Sequence, residues 1–332
     1  MITDDLRVAI VVPSHRGGNA LLQLLILLSE QSQSPDEVIV VESHITDVLR
    51  RKLQELAEEF EFPIRLLPNP RQSIPAALNI GIAAASSPVI VRLDVCAVPS
   101  SDYIERCVQV LLASGAAVTG GHWRFEAGEA TPVASAIATA ASHWLGGGGA
   151  AYRRQPPTKA SDVDTVPYGC FRKALWKQLG GFNEDLLTNE DYEFNWRVRI
   201  VGERVRFDPS IVSIYHTRTT LRTLGKKYYR YGWWKAQMLR SYPRSLRWRQ
   251  FAPALLLWGL LLPPIAAIYL LLITWAALIS SNLFVGCALF TEHISWSLGF
   301  WSNILSGARW PSWRETLGVA LATSTMAQVT TE

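Results

Sequence analysis

Val8-Ala9-Ile10-Val11-Val12-Pro13-Ser14 is the stretch that decides the fold. An unbroken apolar, mostly β-branched run with no polar alternation is what a strand buried on both faces requires, and Pro13 ends it. Outward from it, residues 20–29 read as a helix, 37–41 as a second buried strand and 48–60 as a helical pattern. Residues 64–67 form a third strand, 74–85 a helix with small residues on one face, and 88–93 a fourth strand running into Asp94. Alternation of this kind predicts βαβ units and a parallel sheet, an α/β fold. Ligands of such sheets sit beyond the carboxyl ends of the strands. Residues 13–16, 42–47, 69–73 and 94–96 are therefore expected to border one crevice.

Further on, 118–125 reads as a strand and 134–141 as a small-residue helix. The loop Gly146–Gly149 reads equally as a substrate lid or a linker; with no Gly-Lys-Ser/Thr after it, it is no phosphate-cradling loop. A strand at 166–171 enters a helix at 173–179, which Gly180-Gly181 stops. A helix at 189–201 opens on Asn189 with acids in its first turn, where they suit the dipole. Short strands follow at 205–208 and 211–215 around Pro209.

Then the composition changes. The chain has 332 residues, a net charge of +4 and a 49% hydrophobic share, yet residues 251–291 contain no charged side chain. That is about twice the ~20 residues that cross a bilayer once. It predicts a kinked span at 254–273, interrupted by Pro263-Pro264, and a poorer one at 277–304 that contains Glu292 and His293. The second reads alternatively as a re-entrant or interfacial element, and the whole run as a buried pair of core helices. Nine of the thirteen tryptophans fall in this last third, as aromatic belts would require. Before it stands a block with no acid: Arg218, Arg222, Lys226, Lys227, Arg230, Lys235, Arg240, Arg244, Arg247 and Arg249. Beside an apolar run this favours anionic lipid over nucleic acid and puts the N-terminal domain on the cytoplasmic side. Residues 224–239 read as an amphipathic stretch in the headgroup plane. No secretory signal is expected at the start of this sequence. Cys96, Cys107, Cys170 and Cys287 form no CxxC pair or metal-ligand spacing and are expected to be reduced.

Two acidic features suggest chemistry. Asp94, at a strand end, is placed to hold a divalent ion bridging a diphosphate, though a single aspartate there also reads as a loop cap. Glu190-Asp191 opens a helix, where a carboxylate could deprotonate a hydroxyl nucleophile or simply serve the dipole. No Gly-x-Gly-x-x-Gly follows the first strand, which disfavours a dinucleotide-dependent oxidoreductase.

In order and spacing the chain resembles the inverting family 2 glycosyltransferases, and within them the succinoglycan-type exopolysaccharide enzymes. The resemblance is carried by Val11-Val12-Pro13, Val40-Val41-Glu42 with Asp47, Asn69-Pro70-Arg71 and Pro75 to Gly81. It continues through Arg92-Leu93-Asp94, Tyr168 to Arg172, Gly180 to Glu184, Glu190-Asp191 and Tyr229 to Trp234. It implies the GT-A nucleotide-diphospho-sugar transferase fold, a Rossmann-like mixed sheet flanked by helices, with C-terminal transmembrane helices. Pro13, Ser14, Glu42, Arg71, Asn79 and Asp94 would border the nucleotide sugar. Asp191 would be the base, supported by Glu190, and Arg230 and Trp233 would lie near diphosphate and acceptor. Mg²⁺ or Mn²⁺ would rest on Asp94, the first acid of an Asp-x-Asp motif whose other position is Cys96, a poor ligand for a hard cation. Arg16, where relatives often carry Asn, is a second departure.

The expectation is thus a catalytic domain at 1–217, a basic aromatic interfacial segment at 218–250, a membrane region at 251–305 with about two spans, and a tail at 306–332. The enzyme would be a hexosyltransferase-type glycosyltransferase at the bacterial inner membrane. It would move a sugar from a nucleotide-diphosphate sugar to a lipid-linked or growing saccharide acceptor, in exopolysaccharide or cell-surface glycan synthesis. The alternative is a catalytically impaired, membrane-associated partner protein of the same fold.

Overall fold

The computed structural model of the chain describes residues 6–155, 157, 159–247 and 250–307. Strands β1 (Val8–Ser14), β2 (Glu37–Glu42), β3 (Ile64–Pro68) and β4 (Val89–Arg92) are mutually parallel, with β1 in the middle. Helices α1 (Gly18–Ser29), α2 (Asp47–Glu59) and α3 (Ile74–Ala84) connect them. The period of two in β1 sends Val8, Ile10 and Val12 to one face, against Leu21, Leu24, Leu25 and Leu28 of α1. Ala9 and Val11 go to the other, against Ala77, Leu78 and Ile82 of α3. Both faces of the sheet are covered, which is why the central strands carry unbroken apolar runs.

A short strand β5 (Val98–Pro99) and helix α4 (Tyr103–Ser114) come next. The sequence reading leaves α4 unassigned, although Tyr103, Ile104, Cys107, Val108 and Leu111 form its buried stripe. Strand β6 (Val118–Glu126), helix α5 (Pro132–Ser142), strands β7 (Ser161–Asp162) and β8 (Cys170–Arg172), helices α6 (Lys173–Gln178) and α7 (Glu190–Ile200), and strand β9 (Val205–His216) follow. The sheet order is β3-β2-β1-β4-β8-β6-β9-β5, with β7 on β9. Because β8 runs antiparallel to β4 and β6, the sheet is mixed. Two expected strands around Pro209 are one, β9, whose register against β6 shifts between Gly120 and His122. A side chain at Gly121 would meet the Ile211 carbonyl at 1.8 Å, so the bulge needs glycine. The strand expected at 166–171 shrinks to β8, because Tyr168 takes a left-handed φ of 47°.

The C-terminal third corrects the expectation of transmembrane helices. It folds as α8 (Leu221–Ser241), α9 (Phe251–Gly259), α10 (Pro263–Ile279) and α11 (Phe284–Leu305). Among the described residues no helix is long and apolar enough to cross a membrane. Pro263 starts a new helix instead of kinking one, as proline does in a first turn. The 17 residues of α10 rise only about 26 Å, less than a ~30 Å hydrocarbon core. The longer α11 buries Glu292, Ser297 and Asn303 within the protein. Nor does α8 lie free in a headgroup plane: Leu224, Tyr228, Gly232, Ala236 and Met238 pack inward. It crosses α11 with backbones nearly touching, since a Cβ on Gly232 would sit 1.9 Å from the Trp296 carbonyl and one on Gly299 2.0 Å from that of Tyr229. What stays exposed is apolar: Leu255, Trp258, Leu261, Ile268, Leu271, Trp275 and Leu278 of the α9–α10 region all face outward. The expected tail lies, from residue 308 on, outside the described residues.

Gly299→Val forces this crossing apart and is expected to cost about 2–3 kcal/mol in urea denaturation. Leu298→Val, one position away on an exposed side chain, is expected to change stability little.

Candidate active site

The carboxyl ends of β1, β2 and β4 converge on a crevice whose rim is built by Glu42. Its carboxylate is buried and accepts hydrogen bonds from Ser14 Oγ and the backbone N–H groups of Arg16, Gly17 and His44. Burial opposes its ionisation, but these donors outweigh that and hold its pKa below the usual carboxylate value. Glu42 therefore latches the turn after β1, and Gly17 lets that turn approach Val95. Four of the non-glycine residues with positive φ stand on crevice loops: Arg16 (56°), Gln72 (51°), Tyr168 (47°) and Asn189 (70°). Such strain gathers at functional sites.

The centre is the guanidinium of Arg92, itself buried. Its Nη2 lies 2.8 Å from Glu190 Oε1 and 3.1 Å from Asp94 Oδ1, and its Nε donates to the same Asp94 oxygen at 3.2 Å. Thus β4 and the first turn of α7 are joined by charge-assisted hydrogen bonds. Glu190 is nevertheless pushed up to about 6, first by burial and then by Asp191 and Asp94, with Arg92 opposing. Asp191 differs. It is half-buried, and its Oδ1 accepts from the Tyr192 N–H at 2.7 Å, which orients it at the helix start. Neighbouring carboxylates in divergent environments are the usual sign of divided roles. The rest of α7 is anchored by Arg197, which holds buried Glu193 with two bonds and donates to the Leu179 and Gly181 carbonyls.

The opposite wall comes from the C-terminal helices. Lys227 donates to Tyr215 Oη at 2.8 Å and lies over the Tyr215 and Tyr231 rings. Arg153 donates to Tyr228 Oη at 3.2 Å. Beside them Glu292 is fully buried with neither oxygen hydrogen-bonded, and burial raises it to about 7 against the pull of the Arg153 charge. His293 contacts Tyr269 Oη and the Leu145 carbonyl, both at 3.0 Å. A carbonyl only accepts, so Nε2 carries a proton, and burial lowers the pKa of the ring. That bond ties the Gly146–Gly149 loop to α11. Together these groups enclose a cavity of about 400 Å³.

Of the residues expected at the site, Asp94, Cys96, Glu190, Asp191 and Arg230 line this cavity. Pro13, Ser14 and Glu42 stand on the adjoining rim, outside the lining. Arg71 is solvent-exposed and pairs with Glu184 at 2.7 Å. Asn79 spends its amide on the Gly180–Glu184 turn: it donates to the Phe182 carbonyl and Glu184, and accepts from Trp176 Nε1 and the Phe182 N–H. Trp233 stacks on Tyr229 at 6.5 Å and is not in the lining. The sequence reading missed Arg92 and Arg153, counted Lys227 as a lipid contact, and took Glu292 and His293 as flaws in a span. The signal was there: ionisable groups ending a long uncharged run mark burial with a purpose. A divalent ion fits these residues poorly. Asp94 is shared with Arg92, the second motif position is a thiol, and no group of three His, Cys, Asp or Glu among the described residues could hold a metal.

Because burial favours its protonated form, Glu190 costs the wild type stability as pH rises from 4.5 through about 6. Glu190→Gln is expected to lack that pH-dependent loss in urea denaturation while being less stable overall, because buried Arg92 then keeps only Asp94. Arg92→Met, which leaves the acids without their cation, is expected to lose about 3 kcal/mol in urea denaturation.

Comparison with known proteins agrees with this architecture. The Succinoglycan biosynthesis protein ExoA of Rhizobium meliloti is 27% identical over 303 residues, covering 82% of this chain and 87% of that protein. The Dolichyl N-acetyl-alpha-D-glucosaminyl phosphate 3-beta-D-2,3-diacetamido-2,3-dideoxy-beta-D-glucuronosyltransferase of Methanococcus voltae is 23% identical, covering 64% of this chain and 67% of that protein. In structure the chain is similar to the mannosyltransferase PcManGT from Pyrobaculum calidifontis, solved in complex with GDP-Man and Mn²⁺. The TM-score is 0.63 at 19% identity, covering 91% of this chain and 88% of that one, a likeness of fold. The fold is GT-A, and the pattern of Glycosyl transferase family 2 matches residues 9–179. With that match spanning more than half of its length, the chain belongs to glycosyl transferase family 2 and is a glycosyltransferase.

Proposed function

We propose that this enzyme transfers a sugar, with inversion, from a nucleotide-diphosphate sugar to a lipid-linked or growing saccharide acceptor at a membrane surface. The observation that carries the reading is Asp191: a half-buried carboxylate facing the cavity, oriented by its own helix start and flanked by the Arg92-held Glu190. Asp191 takes the proton of an acceptor hydroxyl as that oxygen bonds to the anomeric carbon and the bond to the diphosphate breaks. One displacement inverts the centre and needs no covalent enzyme intermediate. Glu190 acts as the fixed support of Asp191. The nucleotide would run along the rim at Pro13, Ser14 and Glu42, with Arg71 and Asn79 stabilising its outer border. Arg230 and Trp233 would stand on the acceptor side. The mannosyltransferase similar in fold was solved with a nucleotide sugar, which supports the donor class. The donor set around Asp94 does not favour a divalent cation, and no step here is assigned to one.

Membrane association is proposed as peripheral. The outward apolar side chains of α9 and α10 would enter the acyl boundary, with nearby basic residues on the headgroups. This would place the enzyme on the cytoplasmic face of a bacterial plasma membrane. The name of the Rhizobium relative supports exopolysaccharide or cell-surface glycan synthesis as the setting. Cys96 favours a second reading, a partner protein of the same fold that binds nucleotide without turnover.

With wild-type membranes as the acceptor source, sugar transfer is tested with UDP-glucose, UDP-galactose, UDP-N-acetylglucosamine and GDP-mannose. Asp191→Asn is expected to lower kcat about 10³-fold with donor affinity unchanged. Unaltered transfer by that variant would remove Asp191 as the base, and nucleotide binding without transfer from any donor would leave the partner-protein reading. The wild type is expected to float with phosphatidylglycerol vesicles. Leu261→Ser with Leu271→Ser should weaken that binding roughly hundredfold, from about 3 kcal/mol of lost apolar burial.

A further inference from the structure

We propose that the departing nucleoside diphosphate is neutralised by Arg218, just before α8, and Lys227, in the second turn of α8, in place of a divalent cation. The inference rests on the nucleotide-sugar reading above, and three observations carry it. First, the only carboxylate of the Asp94-Val95-Cys96 motif is engaged: Asp94 Oδ1 takes two N–H groups of Arg92, at 3.1 and 3.2 Å. Second, the other motif position offers a thiol to the cavity, and hard cations prefer oxygen ligands.

Third, positive charge is already present where a metal would bring it. Lys227 and Arg218 line the same cavity as Asp94 and Cys96, and their charges bear on the Cys96 thiol. Lys227 is held in place by the Tyr215 hydroxyl at 2.8 Å and by the faces of Tyr215 and Tyr231, at 4.7 and 5.5 Å from the ring centroids. An ammonium fixed this way needs no reorganisation when a diphosphate arrives, which is the condition for electrostatic stabilisation of a leaving group. Arg92 adds a further donor, since its buried Nη1 has no hydrogen-bond partner. A fixed Lys227 and an exposed Arg218 beside the Arg92-paired Asp94 disfavour a divalent ion at this motif and attract phosphate oxygens. Cysteine at the motif's second position is compatible with this arrangement.

The test is calorimetric binding of UDP, GDP and dTDP to the full chain, with excess EDTA and then with Mn²⁺. At least one nucleotide is expected to bind equally well in both. In EDTA, Lys227→Gln is expected to weaken that binding about tenfold, and Lys227→Arg, which keeps the charge, to preserve it. Arg218→Gln, on an exposed side chain, is the second variant should Lys227→Gln melt early, with the same expected loss. Cys96→Asp is expected to make binding stimulated by Mn²⁺. Wild-type binding lost in EDTA and restored by Mn²⁺ would overturn the inference and leave the nucleotide-sugar reading standing, as would unchanged affinity in both cation variants. No binding of any nucleotide in either condition would overturn both.

Discussion

A buried guanidinium organises this enzyme. Arg92 sits at the end of a central strand, and the carboxylate it must neutralise, Glu190, lies 98 residues later at the start of α7. Neither charge is tolerable alone in the interior, so the two halves of the catalytic domain close on each other only in the arrangement that pairs them. The pairing adds little net stability compared with apolar packing, but it specifies where α7 begins. Where α7 begins decides where Asp191 points. The Glu193–Arg197 pair one turn later serves the same end, because Arg197 also holds the Leu179 and Gly181 carbonyls that lead into the helix.

The C-terminal helices α8 and α11 belong to this site. Glycines at 232 and 299 let α8 and α11 approach backbone to backbone, and that close crossing brings Lys227 and Tyr228 against the catalytic domain. On the inner side of α11, Glu292 and His293 face Arg153 and the glycine loop. On the outer side, Leu255, Leu261, Leu271, Trp275 and Leu278 of the α9–α10 region are exposed, with nothing among the described residues to cover them. One apolar run therefore divides its work: part completes the cavity wall, and part offers a surface whose chemistry suits lipid. Hydropathy alone averages over that division.

The motif residues show how far the sequence could be read. Asp94, Glu190, Asp191 and Arg230 were expected to share a site, and they line one cavity. For Glu42 and Asn79 the position was legible but the partners were not. Both side chains are used on the scaffold, Glu42 on the turn after β1 and Asn79 on the turn before α7. A carboxylate or amide in a motif looks the same whether it faces a ligand or a backbone N–H, and only the fold distinguishes them. Helix α4 escaped notice because its apolar stripe is interleaved with Glu105, Arg106 and Gln109, which pair among themselves on its outer face.

By itself the sequence determined the α/β alternation, the buried parallel strands, the order of motifs that marks the family and the positions of the carboxylates proposed to carry its chemistry. These depend on local periodicity and residue type, and both are written in the chain. Tertiary structure alone decided that the long apolar run folds into separate helices, with α11 buried against α8. It alone decided that Asp94 is spoken for by Arg92, and that Lys227 belongs to the cavity. Each of these depends on contacts between residues far apart in the chain, where burial and charge pairing outweigh any local preference.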